Sequence, residues 1–364
     1  MKRFAPSLQE IGPAARGMKE ETMTRILGSM FMAALLLAAP VMAPGAQQSV
    51  APLSPKQNVV VAYVPIMKFA TLYVAKARGI FDKHGLDVKV ERVKSGTEVI
   101  AFLTQGQVDV GGIAIVASTW NGWAKGMDMR IVAPGALEPT TGSPTMFLLR
   151  KDLRESGKVR QVGDLRGMRV AMAGGPGSGG EYLAAKALER GRLTIRDVQV
   201  LNTGNADMPA GFANRSIDAG ILGSPYADQA LAAGSAVSLA EDLTPDAMTV
   251  AFVSSGKLVK ERPEVAKRFV LALMEAARLM QGGDYLAAEN LKAYLTHMNT
   301  TEQALKAGDP VIYDPNQTIS LDGLRDVERV HRENGRAEYK TPFDPQTVTD
   351  TSLVDWARSI LGRK

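Results

Sequence analysis

The chain has 364 residues, 45% hydrophobic and 22% charged, a globular composition that excludes a disordered or fibrous protein. It has no cysteine, which removes disulfides, thiol nucleophiles, cysteine-held zinc or iron–sulfur centres and bacterial lipid attachment. Its three histidines (His84, His297, His331) are too scattered for histidine catalysis or a histidine metal site, and the net charge of +5 comes from acids and bases that interleave along the chain, unlike the clustered cations of a nucleic-acid binder.

The first feature in chain order is an apolar run, Ile26 to Ala39, that follows Arg25 and ends at Pro40. It is shorter than the roughly 20 residues a bilayer span needs. With small residues after it, it reads as a cleaved secretory signal peptide covering residues 1–46, cut after Ala43 or, better, Ala46. Met18 and Met23 are alternative starts, so residues 1–22 read as an overlong beginning. Removing residues 1–46, with five basic and three acidic residues, leaves a charge of about +3. The mature protein is expected to be exported, soluble and monomeric, with residues 47–57 as a loose leader.

At about 150 residues per domain the length predicts two domains, and short apolar runs then alternate with helical patterns. Strands are predicted at Val59–Val64, Leu86–Val93, Val108–Ile113 and Met129–Ala133, with helices at Phe69–Arg78, Glu98–Gln105 and Ile115–Lys125 between them. A pause at Pro134–Pro144 precedes a second series: strands at Thr145–Leu149, Met168–Ala173, Val198–Leu201 and Ala219–Leu222, with helices at Gly180–Arg190, Asp207–Asn214 and Tyr226–Ala233. After a second break near Glu241–Asp246 come one more strand, Val250–Ser254, and a helical tail in which Val265, Phe269, Ala272, Ala276 and Leu279 share a helix face. Such alternation predicts parallel sheets flanked by helices. It gives one unit from 58–137 plus 246–364, another from 145–240, and crossovers near 137–145 and 240–248. Ligands of open parallel sheets sit in the loops at the carboxyl ends of the strands.

The most conspicuous loop is Gly174-Gly175-Pro176-Gly177-Ser178-Gly179-Gly180, between a strand and a helix. Gly175, Gly177 and Gly180 match the dinucleotide fingerprint, but Asp197 precedes the strand it should follow, and no lysine completes a phosphate loop. Pro176 stands where a nucleophile elbow needs glycine, so Ser178 is not read as a nucleophile. No cofactor is expected. Ser178 and Glu181 have capping-box spacing. Five glycines where a cap needs one point instead to a ligand approaching backbone N–H groups. Ser95-Gly96-Thr97-Glu98 is a parallel case, and Gly111-Gly112-Ile113-Ala114 leaves room at a strand end. Lys68, after the first strand, is a candidate partner for an acidic ligand; Trp120 and Trp123 read as core, and Glu138 as a carboxylate on the hinge surface.

Taken in order, these stretches resemble the periplasmic substrate-binding proteins of ABC importers, the nitrate/sulfonate/taurine (SsuA/NMT1-like) family. The resemblance rests on Tyr63-Val64-Pro65, Leu72 to Phe81, His84 to Val88, Gln105 to Gly111, Asp164 to Ala171, the Gly177-Ser178 loop and Ala219 to Tyr226, and covers the chain from Val59 to its end. It implies a two-lobed periplasmic-binding-protein fold (type II) whose cleft holds the ligand and which delivers it to a membrane permease and its ATPase. It implies ligand positions at Met67, Lys68, Ser95, Gly96, Thr97, Ile113, Ala114, Gly177, Ser178, Gly179, Asn202 and Tyr226. Met67, Ile113 and Ala114 are apolar for an inorganic oxyanion, so a small organic anion, a sulfonate or carboxylate, is expected. An enzyme related to thiamine-pyrimidine synthases would need a cysteine-rich motif absent here. An extracytoplasmic sensor partner would bind the same kind of ligand.

Overall fold

The computed structural model describes residues 50–364, apart from 94, 95, 225, 299 and 308–310. The signal segment, both cleavage points and Ser95 therefore lie outside the described residues, as does the side chain of Thr97. Ten strands follow in chain order: β1 (Gln57–Tyr63), β2 (Leu86–Arg92), β3 (Val110–Ala114), β4 (Met129–Pro134), β5 (Thr145–Arg150), β6 (Arg169–Met172), β7 (Gln199–Asn202), β8 (Ala219–Gly223), β9 (Ala236–Ala240) and β10 (Val250–Ser255). All nine predicted strands are present, shifted by at most two residues at either end. β9, a short strand of sequence Ala-Val-Ser-Leu-Ala at a sheet edge, was not expected.

The strands form two five-stranded sheets ordered β2-β1-β3-β10-β4 and β7-β6-β8-β5-β9. Both are mixed. β10 runs antiparallel to β3 and β4, and β5 antiparallel to β8 and β9, while β1, β2 and β3 and β6, β7 and β8 are parallel. The parallel sheet expected from strand–helix alternation is thus corrected at one strand in each. β5 and β10 are the first strands after the two crossovers, where no covering helix dictates direction.

From Gln48 onward the chain forms one compact unit. Behind the first sheet, the helix Pro263–Arg278 is buried nearly all round; Phe269 stacks on Phe81 at 5.3 Å between ring centres, and Phe69 meets Phe252 edge-on at 5.4 Å. Leu279, expected on its apolar face, lies beyond the helix end and is exposed. A second core runs continuously from Ile113, Ile115 and Trp120 to Phe147, Tyr182 and Ile221 of the other sheet. The helix Leu321–Glu333 joins it through Leu324, Val327 and Val330, packing on both the helix Ala117–Ala124 and the helix Gly179–Glu189. Trp120 and Trp123 are core, as expected.

All three histidines are buried. His84 pairs with Glu275 at 3.0 Å, and His297 Nδ1 meets the Tyr63 hydroxyl at 3.1 Å. His331 is pushed down to about 4 by burial, with the charge of Arg336 acting in the same direction.

Candidate functional site

At the carboxyl edge of the first sheet, β1 runs into a loop and a 3₁₀ turn, Met67–Phe69. Two buried tyrosines hold this loop from behind. The Tyr73 hydroxyl donates to the Ile66 carbonyl at 2.8 Å, and the Tyr313 hydroxyl to the Met67 carbonyl at 2.5 Å. Burial pushes both phenols well above their ordinary range, so they remain donors. The turn presents Lys68, whose ammonium pairs with the Glu138 carboxylate and donates to Thr249 Oγ1 at 3.0 Å. The lysine side chain is 14% exposed, the glutamate 1%.

Glu138 stands on the crossover from β4 to β5. Its other oxygen accepts from the Ser143 hydroxyl at 2.9 Å. The two crossovers are joined there. Glu138 N donates to Ala247 O and Asp246 N to Glu138 O, both at 3.1 Å. Ser143 N donates to Asp242 Oδ1 and Thr140 Oγ1 to Asp246 Oδ1, both at 2.8 Å. Glu138 is therefore no surface carboxylate. The crossovers expected near 137–145 and 240–248 meet at this buried acid, which is balanced by the lysine of the candidate site. An acid buried to this degree is tolerated only when paired and hydrogen-bonded.

The second candidate region is the glycine loop, and most of its glycines have backbone reasons. Gly177 has φ +76°, and a Cβ there would stand 2.9 Å from Ala117 Cβ; one on Gly180 would stand 2.4 Å from the Ala173 carbonyl. The loop touches the other sheet's connections directly, since Ala117 N donates to Gly177 O at 3.0 Å. Ser178 caps the following helix, its Oγ accepting from Glu181 N at 3.1 Å and donating to Ala173 O at 3.0 Å. Its single proton is thereby used within the chain. The fully buried Glu181 carboxylate accepts from Gly177 N at 2.7 Å and from Arg336 Nε at 2.9 and 3.1 Å. In this conformation the chain's own acid occupies an anion position of the loop.

The remaining candidates divide. Gly96 opens the helix Gly96–Thr104 beside Ile113 and Ala114; a Cβ on it would lie 3.6 Å from Ile113 Cβ and 3.8 Å from Ala114 O. Ile113 is fully buried, so its side chain belongs to the core. Ala114 borders both regions: the adjacent Ile115 N donates to Thr249 O at 3.1 Å, and a Cβ on Gly179 would touch Ala114 Cβ at 3.7 Å. Asn202 is exposed at the end of β7, its amide over Gly175. Tyr226 starts the helix Tyr226–Ala232 and packs half-buried on the core around Leu148 and Phe212.

The structure thus brings Lys68, Gly96, Ile113, Ala114, Gly177 and Gly179 to one junction. Sequence reasoning missed Thr249, Ser143, Tyr73, Tyr313 and Arg336. The last two lie in the helical tail, 246 residues from Met67 for Tyr313 and 155 residues from Glu181 for Arg336. Among the described residues, no group of three or more histidine, aspartate or glutamate side chains could hold a metal ion, and no helix is long and apolar enough to cross a membrane.

A protein of Brucella abortus (strain 2308) named only as a binding protein is 25% identical over 219 residues, covering 56% of this chain and 60% of that one. A protein of Escherichia coli (strain K12) named for the binding of aliphatic sulfonates is 26% identical over 208 residues, covering 57% and 62%. These alignments span about three fifths of the relatives' lengths. The fold is also that of the periplasmic nitrate-binding protein NrtA from Synechocystis PCC 6803: TM-score 0.69 at 17% identity, covering 86% of this chain and 90% of that one. The model of the NMT1-like family matches residues 53–295, well over half of the chain, and the protein belongs to that family.

Proposed function

We propose that the chain is the extracytoplasmic solute-binding component of an ABC importer. It captures a small organic anion, a sulfonate or carboxylate, and delivers it to a membrane permease and its ATPase without breaking a bond. The ligand sits between two lobes, one built on each sheet, that move about the crossovers at 137–145 and 240–248. Export through the signal segment at Ile26–Ala39 puts the mature protein in the periplasm.

The observation that carries this reading is the corner formed by Lys68, Glu138 and Thr249 at the crossovers. An ammonium has three N–H donors. Glu138 and Thr249 take two, and the third is available to a ligand anion. Binding proteins among the relatives, one named for aliphatic sulfonates, support the same class. Titration calorimetry of the mature chain against short alkanesulfonates and carboxylates tests it. Binding in the wild type, with a loss of at least about tenfold in Lys68→Met, is expected for a charged hydrogen bond. Equal affinity in the two proteins would remove Lys68 from the site.

A further inference from the structure

We infer that Glu138 is a specificity-determining residue that restricts the site to ligands with a single negative charge. The inference rests on the proposed capture of an organic anion and names its charge class.

The Lys68–Glu138 pair is net neutral where the ligand meets it. Glu138 is 1% exposed and held by Ser143 Oγ at 2.9 Å, so it cannot swing aside. Lys68 cannot leave it without stranding a buried carboxylate. A ligand anion on the free N–H of Lys68 lies about 3 Å from the ammonium and about 5 Å from the carboxylate, so the repulsion cancels more than half of the attraction. The net attraction that remains grows in proportion to ligand charge. The cost of taking the ligand out of water grows with roughly the square of that charge. One negative charge can be accommodated on these terms. A second adds only the same net attraction again, against a threefold larger increment of desolvation.

Of the other charges at the junction, Glu181 and Arg336 neutralise each other, while Asp242 and Asp246 on the second crossover are negative and oppose a second ligand charge as Glu138 does. Thr249 and Ser143, the remaining polar partners of the pair, are uncharged. Glu138→Gln keeps a carbonyl acceptor for Lys68 and turns an amide N–H toward the Ser143 hydroxyl oxygen, while removing the opposing charge.

The test is a matched pair of isosteric probes, ethyl sulfate and ethyl phosphate, measured by calorimetry on the mature chain at pH 8. The sulfate ester carries one charge, whereas the phosphate ester carries about two above its second pKa of about 6. Wild type is expected to bind the sulfate ester at least about tenfold tighter, and Glu138→Gln to narrow that ratio at least about tenfold, since the removed repulsion is worth on the order of a hundredfold per charge at an effective dielectric of about 20. A second measurement needs no variant. At pH 5 the phosphate ester is a monoanion and should bind wild type about as well as the sulfate ester does. The sulfate ester, which does not titrate, controls for the protein's own groups. A wild type that binds the dianion as tightly as the monoanion overturns the inference, as does a ratio unchanged in Glu138→Gln. If neither ester, nor any sulfonate or carboxylate, binds the wild type, the anion-capture reading fails first and takes the inference with it.

Discussion

Two buried carboxylates stand on opposite sides of the junction between the sheets, and they are used differently. Glu138 sits on a crossover and is balanced by Lys68, which the turn after β1 offers from the candidate site. Glu181 sits in the first turn of a helix and is balanced by Arg336, from the tail; the Arg336 carbonyl accepts from Asn121 Nδ2 at 3.0 Å. The first pair has a donor to spare. The second closes on itself: its acid takes a loop N–H, and its cation ties the helix Gly179–Glu189 to the helix Ala117–Ala124. A glycine-rich loop at a helix start looks like an anion site in sequence, but here an internal carboxylate fills that role. The less conspicuous lysine has one N–H more than its two partners here, Glu138 and Thr249, take up.

The comparison breaks most easily at the cations. Lys68→Met should cost about 3 kcal/mol or more, because it leaves Glu138 charged and buried. Arg336→Met should cost less, since the Arg336 side chain is 32% exposed and water reaches its place. Chemical denaturation of the two variants decides, and a larger loss in Arg336→Met would reverse the ranking. Only the Lys68 variant should also lose ligand.

Acid should weaken the Arg336 end through His331, alongside other groups with lowered pKa values such as His297, Asp218 and Glu275. His331, whose carbonyl accepts from Arg336 N at 2.9 Å, has a folded pKa of about 4, below the ordinary value near 6.5. The unfolded chain binds the proton more readily, so the stability from neutral His331 is full above about pH 6.5 and is lost as pH falls toward 4. The difference is worth about 3 kcal/mol. Urea unfolding at pH 7 and pH 4.5 should show this loss in wild type, and His331→Phe should flatten the profile. An unchanged slope in that variant would assign the loss to other groups.

The glycine loop sharpens the contrast on a smaller scale. Gly177→Val, with its positive φ and the nearby Ala117, should cost about 2 kcal/mol. Gly179→Val should stay near wild type in thermal melts, because a Cβ there meets Ala114 at ordinary contact distance. Ser178→Ala removes a cap and should cost about 1 kcal/mol. It should leave affinity intact, because the Ser178 proton goes to Ala173 O. A tenfold affinity loss in Ser178→Ala would return the hydroxyl to the ligand.

Strand positions and the two crossovers were readable because buried strands are continuous apolar runs between glycine and proline breaks, and periodicity marks them whatever they pair with. Strand direction at β5 and β10 was not readable, since it follows from where the chain re-joins a sheet. At the site, Lys68 and the loops at strand ends followed from the rule that ligands lie at carboxyl edges. Glu138 looked like a hinge-surface residue because a lone acid between Leu137 and Pro139 carries no periodic signal of burial. The other partners of the pair, Thr249 on Lys68 and Ser143 on Glu138, are brought to it only by the return of β10 and the start of β5. Tyr313 and Arg336 reach the junction from a helical tail with no pattern linking it to the loops.

The most direct test of the central claim is a crystal structure of the mature protein with an alkanesulfonate, locating the ligand by the anomalous signal of its sulfur. The account predicts that peak beside Lys68, with a sulfonate oxygen within hydrogen-bond distance of Nζ and Glu138 still paired to it. A sulfur peak elsewhere, such as the surface groove lined by Leu291, Lys292 and Leu295, with the Lys68 corner empty, would contradict it.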